Sequence, residues 1–260
     1  MDLALKDKVV LVTGGSKGIG QGIVRSFLAE GARVANVNRS TEEGLALQDE
    51  YEKQGQECYF IQADLSDVTN CEQVVKVAQD RFGRIDILVN NAGVNDGVGL
   101  DGSIEEFVGS LQRNLFHLFA LVQYCLDDLK SAKGTVINIG SKVATTGQGG
   151  TSGYAAAKGA VNALTREWAL DLAEHSVRVN AVIPAETWTP LYDNWLKTMP
   201  NPEEVKSSIE QMIPLERRFT TIEEIADMVV FLASPRSSHT TGQIIYVDGG
   251  YTHFDRKYTG

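Results

Sequence analysis

"KVVLVTGGSKGIG", residues 8–20, decides the fold of this 260-residue chain. Val9, Val10, Leu11 and Val12 follow one another without polar alternation. Such a run reads as a strand covered on both faces, the situation of an inner strand in a parallel sheet. It ends at Thr13, and Gly14, Gly18 and Gly20 follow in a GxxxGxG spacing, with Ser16, Lys17 and Ile19 between them. Glycine allows a tight turn and close approach to the backbone, and a helix that begins there presents free N–H groups to an anion such as a pyrophosphate. The alternative use of these glycines is packing alone.

Outward from this stretch the same alternation repeats. Strands are predicted over 8–15, 32–40, 58–66, 85–93, 134–141, 177–185 and 242–250. Helices are predicted to about Glu30, through Lys53, over Asp67–Phe82, over Ser103–Lys130, from the stretch at 151 onward and over 221–233, with an irregular, partly helical segment at 186–219. Strand–helix alternation with continuous apolar strands predicts an α/β, Rossmann-type doubly wound parallel sheet of seven strands in one domain, 1–260. Ligands of such sheets bind beyond the carboxyl ends of the strands.

Composition limits the function classes. With 43% hydrophobic and 22% charged residues the chain is globular. A formal net charge of −10 argues against nucleic acid or an anionic membrane as partner. Cys58, Cys71 and Cys125 have no CxxC spacing, the start "MDLALKDKVV" has no signal-peptide pattern, and no apolar run is long enough to span a bilayer, so a cytoplasmic protein is expected. His117, His175, His239 and His253 are scattered, so no metal site is expected.

"TSGYAAAKGA" (151–160) sets Tyr154 and Lys158 one helical turn apart among small residues. A free phenol has a pKa of ~10, too high for base work at neutral pH. A neighbouring ammonium is expected to favour the phenolate. Ser141 ends the fifth strand and can hydrogen-bond a substrate oxygen. "TGGSKGIG", "NNAG" (90–93), Asn114, Ser141 and "YAAAK", in this order and spacing, resemble the short-chain dehydrogenase/reductase family over nearly the whole chain. The resemblance implies a nicotinamide cofactor, Tyr154 as catalytic base and Ser141 as its partner on the substrate oxygen. It implies Lys158 on the nicotinamide ribose, and Asn114 holding a water that links Lys158 to solvent. It also implies that Asn91, Ala92 and Gly93 line the cofactor or stiffen the sheet. Asp64, with Leu65 beside it, would meet the adenine amino group or serve as a helix N-terminal carboxylate. Thr187 and Thr189 would face the carboxamide and pyrophosphate, although Ala185 stands where the family usually has glycine.

At the end of the second strand Asn38 and Arg39 replace an acidic residue, and Lys17 adds a second cation. This pattern favours a 2′-phosphate, hence NADP over NAD, unless the cations are only surface charges. The stretches 93–101, 141–154, 183–192 and 247–256 resemble bacterial L-fucose dehydrogenases, a branch of the family that oxidises the anomeric hydroxyl of a pyranose to a lactone. Asn95, Asp96, Gln148, Glu186, Trp188 and Trp195 suit a neutral polyol, with hydrogen-bonding groups for hydroxyls and flat faces for C–H patches. Glu186 points either to solvent or into the pocket, and Trp168 is expected in the core. The alternatives are reduction of a 3-oxoacyl chain on an acidic carrier protein, against which Asp127 and Asp128 argue, and an inactive cofactor-binding sensor. The apolar helices at 115–126 and 160–172, together with the family resemblance, predict a homotetramer.

Overall fold

The computed structural model describes residues 2–253. Its strands are β1 (Val9–Thr13), β2 (Arg33–Asn38), β3 (Cys58–Gln62), β4 (Ile87–Asn90), β5 (Thr135–Ile139), β6 (Arg178–Pro184) and β7 (Ile244–Val247). They form the one parallel sheet of seven strands that was expected, in the order β3-β2-β1-β4-β5-β6-β7. The chain runs outward from β1 to β3 and then returns to β4 on the other side of β1. That reversal opens a crevice beyond the carboxyl ends of β1 and β4.

Side chains alternate across a strand, and the two apolar layers follow from this. Leu11 joins Val37, Val75, Leu88, Leu121 and Val161 on one face. Val10 and Val12 join Phe27, Val34, Ile137 and Val229 on the other. Helices α1 (Gly18–Ala29), α2 (Thr41–Glu52) and α3 (Asn70–Phe82) link the first four strands. Trp168 is buried against the first layer.

The helix expected over 103–130 is not continuous. It consists of α4 (Ile104–Leu111), a π-helical turn at Gln112–Phe116, α5 (His117–Tyr124) and α6 (Leu126–Ala132). Ser103 and Glu106 close a capping box on α4, an arrangement worth about 1 kcal/mol. The π turn inserts where Asn114 is buried, and such turns often mark functional positions. The long helix α7 (Ser152–Asp171) then carries Tyr154 and Lys158. Its seat on the sheet is polar as well as apolar: Asn90 donates to Asn138 at 2.9 Å, and Asn138 donates to Thr165 of α7 at 3.0 Å. The segment after β6 is more regular than expected, with α8 (Pro190–Leu196) and α9 (Pro202–Gln211) ahead of α10 (Ile222–Ala233). Residues 254–256 of the C-terminal stretch singled out in the sequence lie outside the described residues. Among the described residues no helix is long and apolar enough to cross a membrane.

His117 begins α5 fully buried. Burial, and next the charge of Lys158, bring its imidazole down to about 4. The unfolded chain therefore binds a proton between about pH 6.5 and 4 that the folded chain refuses, and stability must fall as pH falls through this window. At pH 5 the loss from this one group is about 2 kcal/mol. His117→Gln is expected to remove that part of the acid sensitivity. Denaturant titrations of both proteins at pH 7 and pH 5 check it, and parallel losses in the two would refute it.

Candidate active site

The turn after β1 is built for a ligand with negative charge. Gly14 and Gly18 have φ of +66° and +52°. A Cβ on Gly20 would stand 2.1 Å from the Gly14 carbonyl oxygen. The N-terminus of α1 has no side-chain cap and no acidic residue in its first turn, so its N–H groups and dipole remain available. Ser16 accepts a hydrogen bond from Asn36 at 3.1 Å. Thr13 Oγ1 accepts from the amides of Asn91 and Ala92, both at 3.0 Å, and Asn91 Nδ2 donates to the carbonyls of Thr13 and Gly14. The "NNAG" stretch thus stiffens the glycine loop directly. Thr189 lies opposite Gly18, where a Cβ would meet its methyl group at 3.6 Å. These residues fit a dinucleotide.

At the far end of the loop the two cations have partners. Lys17 pairs with Glu43, and Arg39 lies 3.9 Å from Asp64, all four being at least partly exposed. Hydrogen bonds from Ser66, and then the Arg39 charge, hold the Asp64 carboxyl below its ordinary range. Leu65 is buried beside it, and Asn38 is the last residue of β2.

Ser141 follows β5, and its hydroxyl favours the phenolate of Tyr154. Lys158 is 2% exposed; its ammonium donates to the Ile139 carbonyl at 2.8 Å and stands 5.6 Å from the centre of the Tyr154 ring. Burial lowers Lys158 to about 8. Burial also raises the Tyr154 phenol, with the Ser141 hydroxyl opposing. The expected lowering of the phenol by Lys158 is therefore not what governs it, because that ammonium is turned to a carbonyl and burial disfavours its own charge. Asn114 is committed at both ends: its oxygen accepts from the Val94 amide at 2.7 Å and its amide donates to the Ser110 carbonyl at 3.0 Å. A Cβ on Gly93 would lie 3.0 Å from that oxygen and 3.5 Å from Lys158 Nζ, so Gly93 sits against both.

The sequence-selected pocket residues separate into groups. Asp96 is held against α4 and the π turn, where Arg113 binds it at 2.6 and 2.9 Å and Ser110 at 2.8 Å. Asn95 and Gln148 are exposed. Glu186, Trp188 and Trp195 gather around Tyr192, which the sequence reading did not select. The Tyr192 hydroxyl donates to Glu186 at 2.7 Å, and its ring meets Trp195 edge-on at 5.3 Å. Trp188 meets Phe219 at 5.2 Å. Glu186 is buried and pairs with Lys142, which also escaped the sequence reading although it directly follows Ser141. Thr187 is buried beside it.

This arrangement has close counterparts. The family model described as enoyl-(acyl carrier protein) reductase matches residues 14–252. The chain is 36% identical over 252 residues to an L-fucose dehydrogenase of Mus musculus, covering 96% of this chain and 90% of that one. It is 35% identical over 255 residues to a 3-oxoacyl-(acyl-carrier-protein) reductase of Chlamydia pneumoniae, covering 97% and 100%. The crystal structure of the Cj0485 dehydrogenase superposes with a TM-score of 0.93 at 45% identity, over 98% of each chain. The chain belongs to the short-chain dehydrogenase/reductase family. The aldohexose dehydrogenase of Thermoplasma acidophilum, another structural counterpart, has a TM-score of 0.88 at 29% identity over 98% of each chain. As a short-chain dehydrogenase/reductase the protein is an oxidoreductase, and the family implies a nicotinamide cofactor.

Proposed function

We propose that this short-chain dehydrogenase oxidises the anomeric hydroxyl of an aldose such as L-fucose to the lactone, with NADP preferred over NAD. The observation that carries the reading is the cluster tied by an ion pair to Lys142, the residue that follows Ser141. It combines a buried carboxylate, Glu186, with the aromatic rings of Trp188, Tyr192 and Trp195. Hydrogen-bonding groups set among flat apolar faces suit a pyranose. In the catalysis proposed here Tyr154 removes the proton of the C1 hydroxyl, and Ser141 hydrogen-bonds the same oxygen as charge develops on it. The nicotinamide cofactor, when bound, accepts the hydride that C1 gives up. Lys158 would hold the ribose of the bound cofactor and pass the proton of Tyr154 onward, past the π turn at Asn114. The segment at 186–219 serves as the substrate-binding loop.

Two relatives' names support a sugar: one is an L-fucose dehydrogenase, the other an aldohexose dehydrogenase. The second reading, reduction of a 3-oxoacyl chain on a carrier protein, has a relative of nearly equal identity. Against it stands the net charge of −10, which would repel an acidic carrier. A cytoplasmic homotetramer built through α5 and α7 is part of the proposal, since Phe119 and Leu170 are apolar and exposed there.

Initial rates of NADP and NAD reduction with L-fucose, D-arabinose, L-galactose and D-glucose test the reading. The first three sugars should be oxidised and D-glucose poorly, because a site built for hydroxyl groups rejects an analogue that mismatches them. Turnover of medium-chain alcohols or β-hydroxyacyl thioesters with none of any aldose would overturn it, and cofactor binding without turnover would favour a sensor. Arg39→Asp tests the cofactor choice. It should raise the Kd for NADP at least several-fold and leave NAD unaffected or improved. An unchanged NADP/NAD ratio would show that Arg39 serves only its contact with Asp64.

A further inference from the structure

Lys142 and Glu186 come from the ends of two neighbouring strands, β5 and β6, and close the gap between them with an ion pair. Their side chains are only 13% and 10% exposed. Tyr192 donates to the second oxygen of Glu186, and the Lys142 ammonium lies 4.2 Å from the centre of the Tyr251 ring. Charges so enclosed add little stability, because desolvation offsets most of their attraction, and an apolar pair of the same volume would hold the two loops together as well. What the pair adds is unused hydrogen-bonding capacity. An ammonium has three donors and a carboxylate about four acceptor positions, of which Lys142 spends one donor and Glu186 two positions here. This capacity lies one residue along the chain from the Ser141 hydroxyl.

We propose that Lys142 and Glu186 together read one ring hydroxyl of the sugar, Lys142 donating to its oxygen and Glu186 accepting its proton. The inference rests on the sugar reading given above and names the residues that choose the sugar. A hydroxyl is both donor and acceptor, so a cation and an anion side by side can satisfy it completely, whereas a carbonyl in its place satisfies only Lys142 and a methylene satisfies neither partner.

The test compares the wild type with Lys142→Met, Glu186→Gln and the double variant, on L-fucose and its monodeoxy analogues. Removing one charge strands the other in a buried place, so either single variant can fail to fold. The double variant is uncharged at both positions and carries the test in that case. Wild type should prefer L-fucose to one particular deoxy analogue by about 10- to 100-fold in kcat/KM. The variants should lose that preference: their kcat/KM falls on L-fucose, mainly through KM, yet stays within about twofold of wild type on that analogue. The KM for the nicotinamide cofactor should not change. An equal loss on every analogue would show that the pair only positions the loops, and an unaltered deoxy profile would show that it does not meet the sugar; either overturns the proposal and leaves sugar oxidation standing. A wild type that oxidises no aldose overturns the sugar reading itself and this inference with it.

Discussion

Tyr154→Phe is expected to lower kcat for the oxidised substrate by about 10²- to 10⁴-fold, the usual share of a positioned acid or base. The substitution removes one oxygen, and with it the interaction with Ser141. The ring stays, so the fold and the glycine loop should be retained, with a stability change of about 1 kcal/mol or less. Cofactor Kd, measured by fluorescence titration, should stay within about threefold of wild type. The pH profile adds a sign. Oxidation needs the phenolate, and burial raises the Tyr154 phenol above its ordinary value, so the wild-type kcat/KM should climb toward alkaline pH. The residual rate of the variant should lack that climb. Near-normal turnover in Tyr154→Phe would remove Tyr154 from the chemistry.

Lys158→Met is expected to abolish most turnover and at the same time to make the protein more stable. Lys158 is buried, and burial brings its ammonium from 10.5 to about 8. A folded-state value below the unfolded one means that the unfolded chain binds the extra proton between those limits. Wild-type stability therefore carries a penalty of about 3 kcal/mol at pH 7, which is relieved as pH rises from about 8 to 10.5. Methionine fills similar volume without the charge. Against this gain stands the lost hydrogen bond to the Ile139 carbonyl, a cost of about 1–2 kcal/mol. The balance predicts a Tm higher by about 2–6 °C at pH 7 and a difference that shrinks on the alkaline side. Calorimetry at pH 7 and pH 9.5 checks both. A lower Tm at pH 7 would mean that Lys158 is a net structural contributor rather than a charge kept for function at the expense of stability.

What the sequence made legible is what depends on neighbours along the chain. Val9–Val12 followed by Gly14, Gly18 and Gly20 gave the first strand and its turn, and the repeated alternation gave the seven-stranded parallel sheet. Tyr154 and Lys158 share a helix face because they are one turn apart, and Ser141 meets Tyr154 because a strand end and the next helix start at the same edge. Contacts between distant segments were not legible. Lys142 and Glu186 are 44 residues apart, and nothing in either local stretch announces the pair. Asp96 read as a free pocket carboxylate, because Arg113 reaches it only once the loop folds back onto α4 and the π turn. Lys17 and Arg39 read as uncommitted cations, because Glu43 and Asp64 arrive from other elements. The π turn left no trace in apolar periodicity, since it shifts the helix by a single residue.

The aromatic group around Tyr192 gives the molecule an optical signal of its own. Two of the three tryptophans, Trp188 and Trp195, flank the tyrosine whose hydroxyl holds Glu186. The third, Trp168 of α7, is buried against Phe119 of α5 and should contribute a constant background. A ligand seated on Glu186 would lie next to Tyr192 and change the surroundings of the neighbouring indoles. Their emission should therefore shift in wavelength or intensity when a sugar enters, even with no reduced cofactor formed. Trp188→Phe and Trp195→Phe would divide that signal between the two sides of the tyrosine, so that occupancy and turnover can be followed separately in one unlabelled sample.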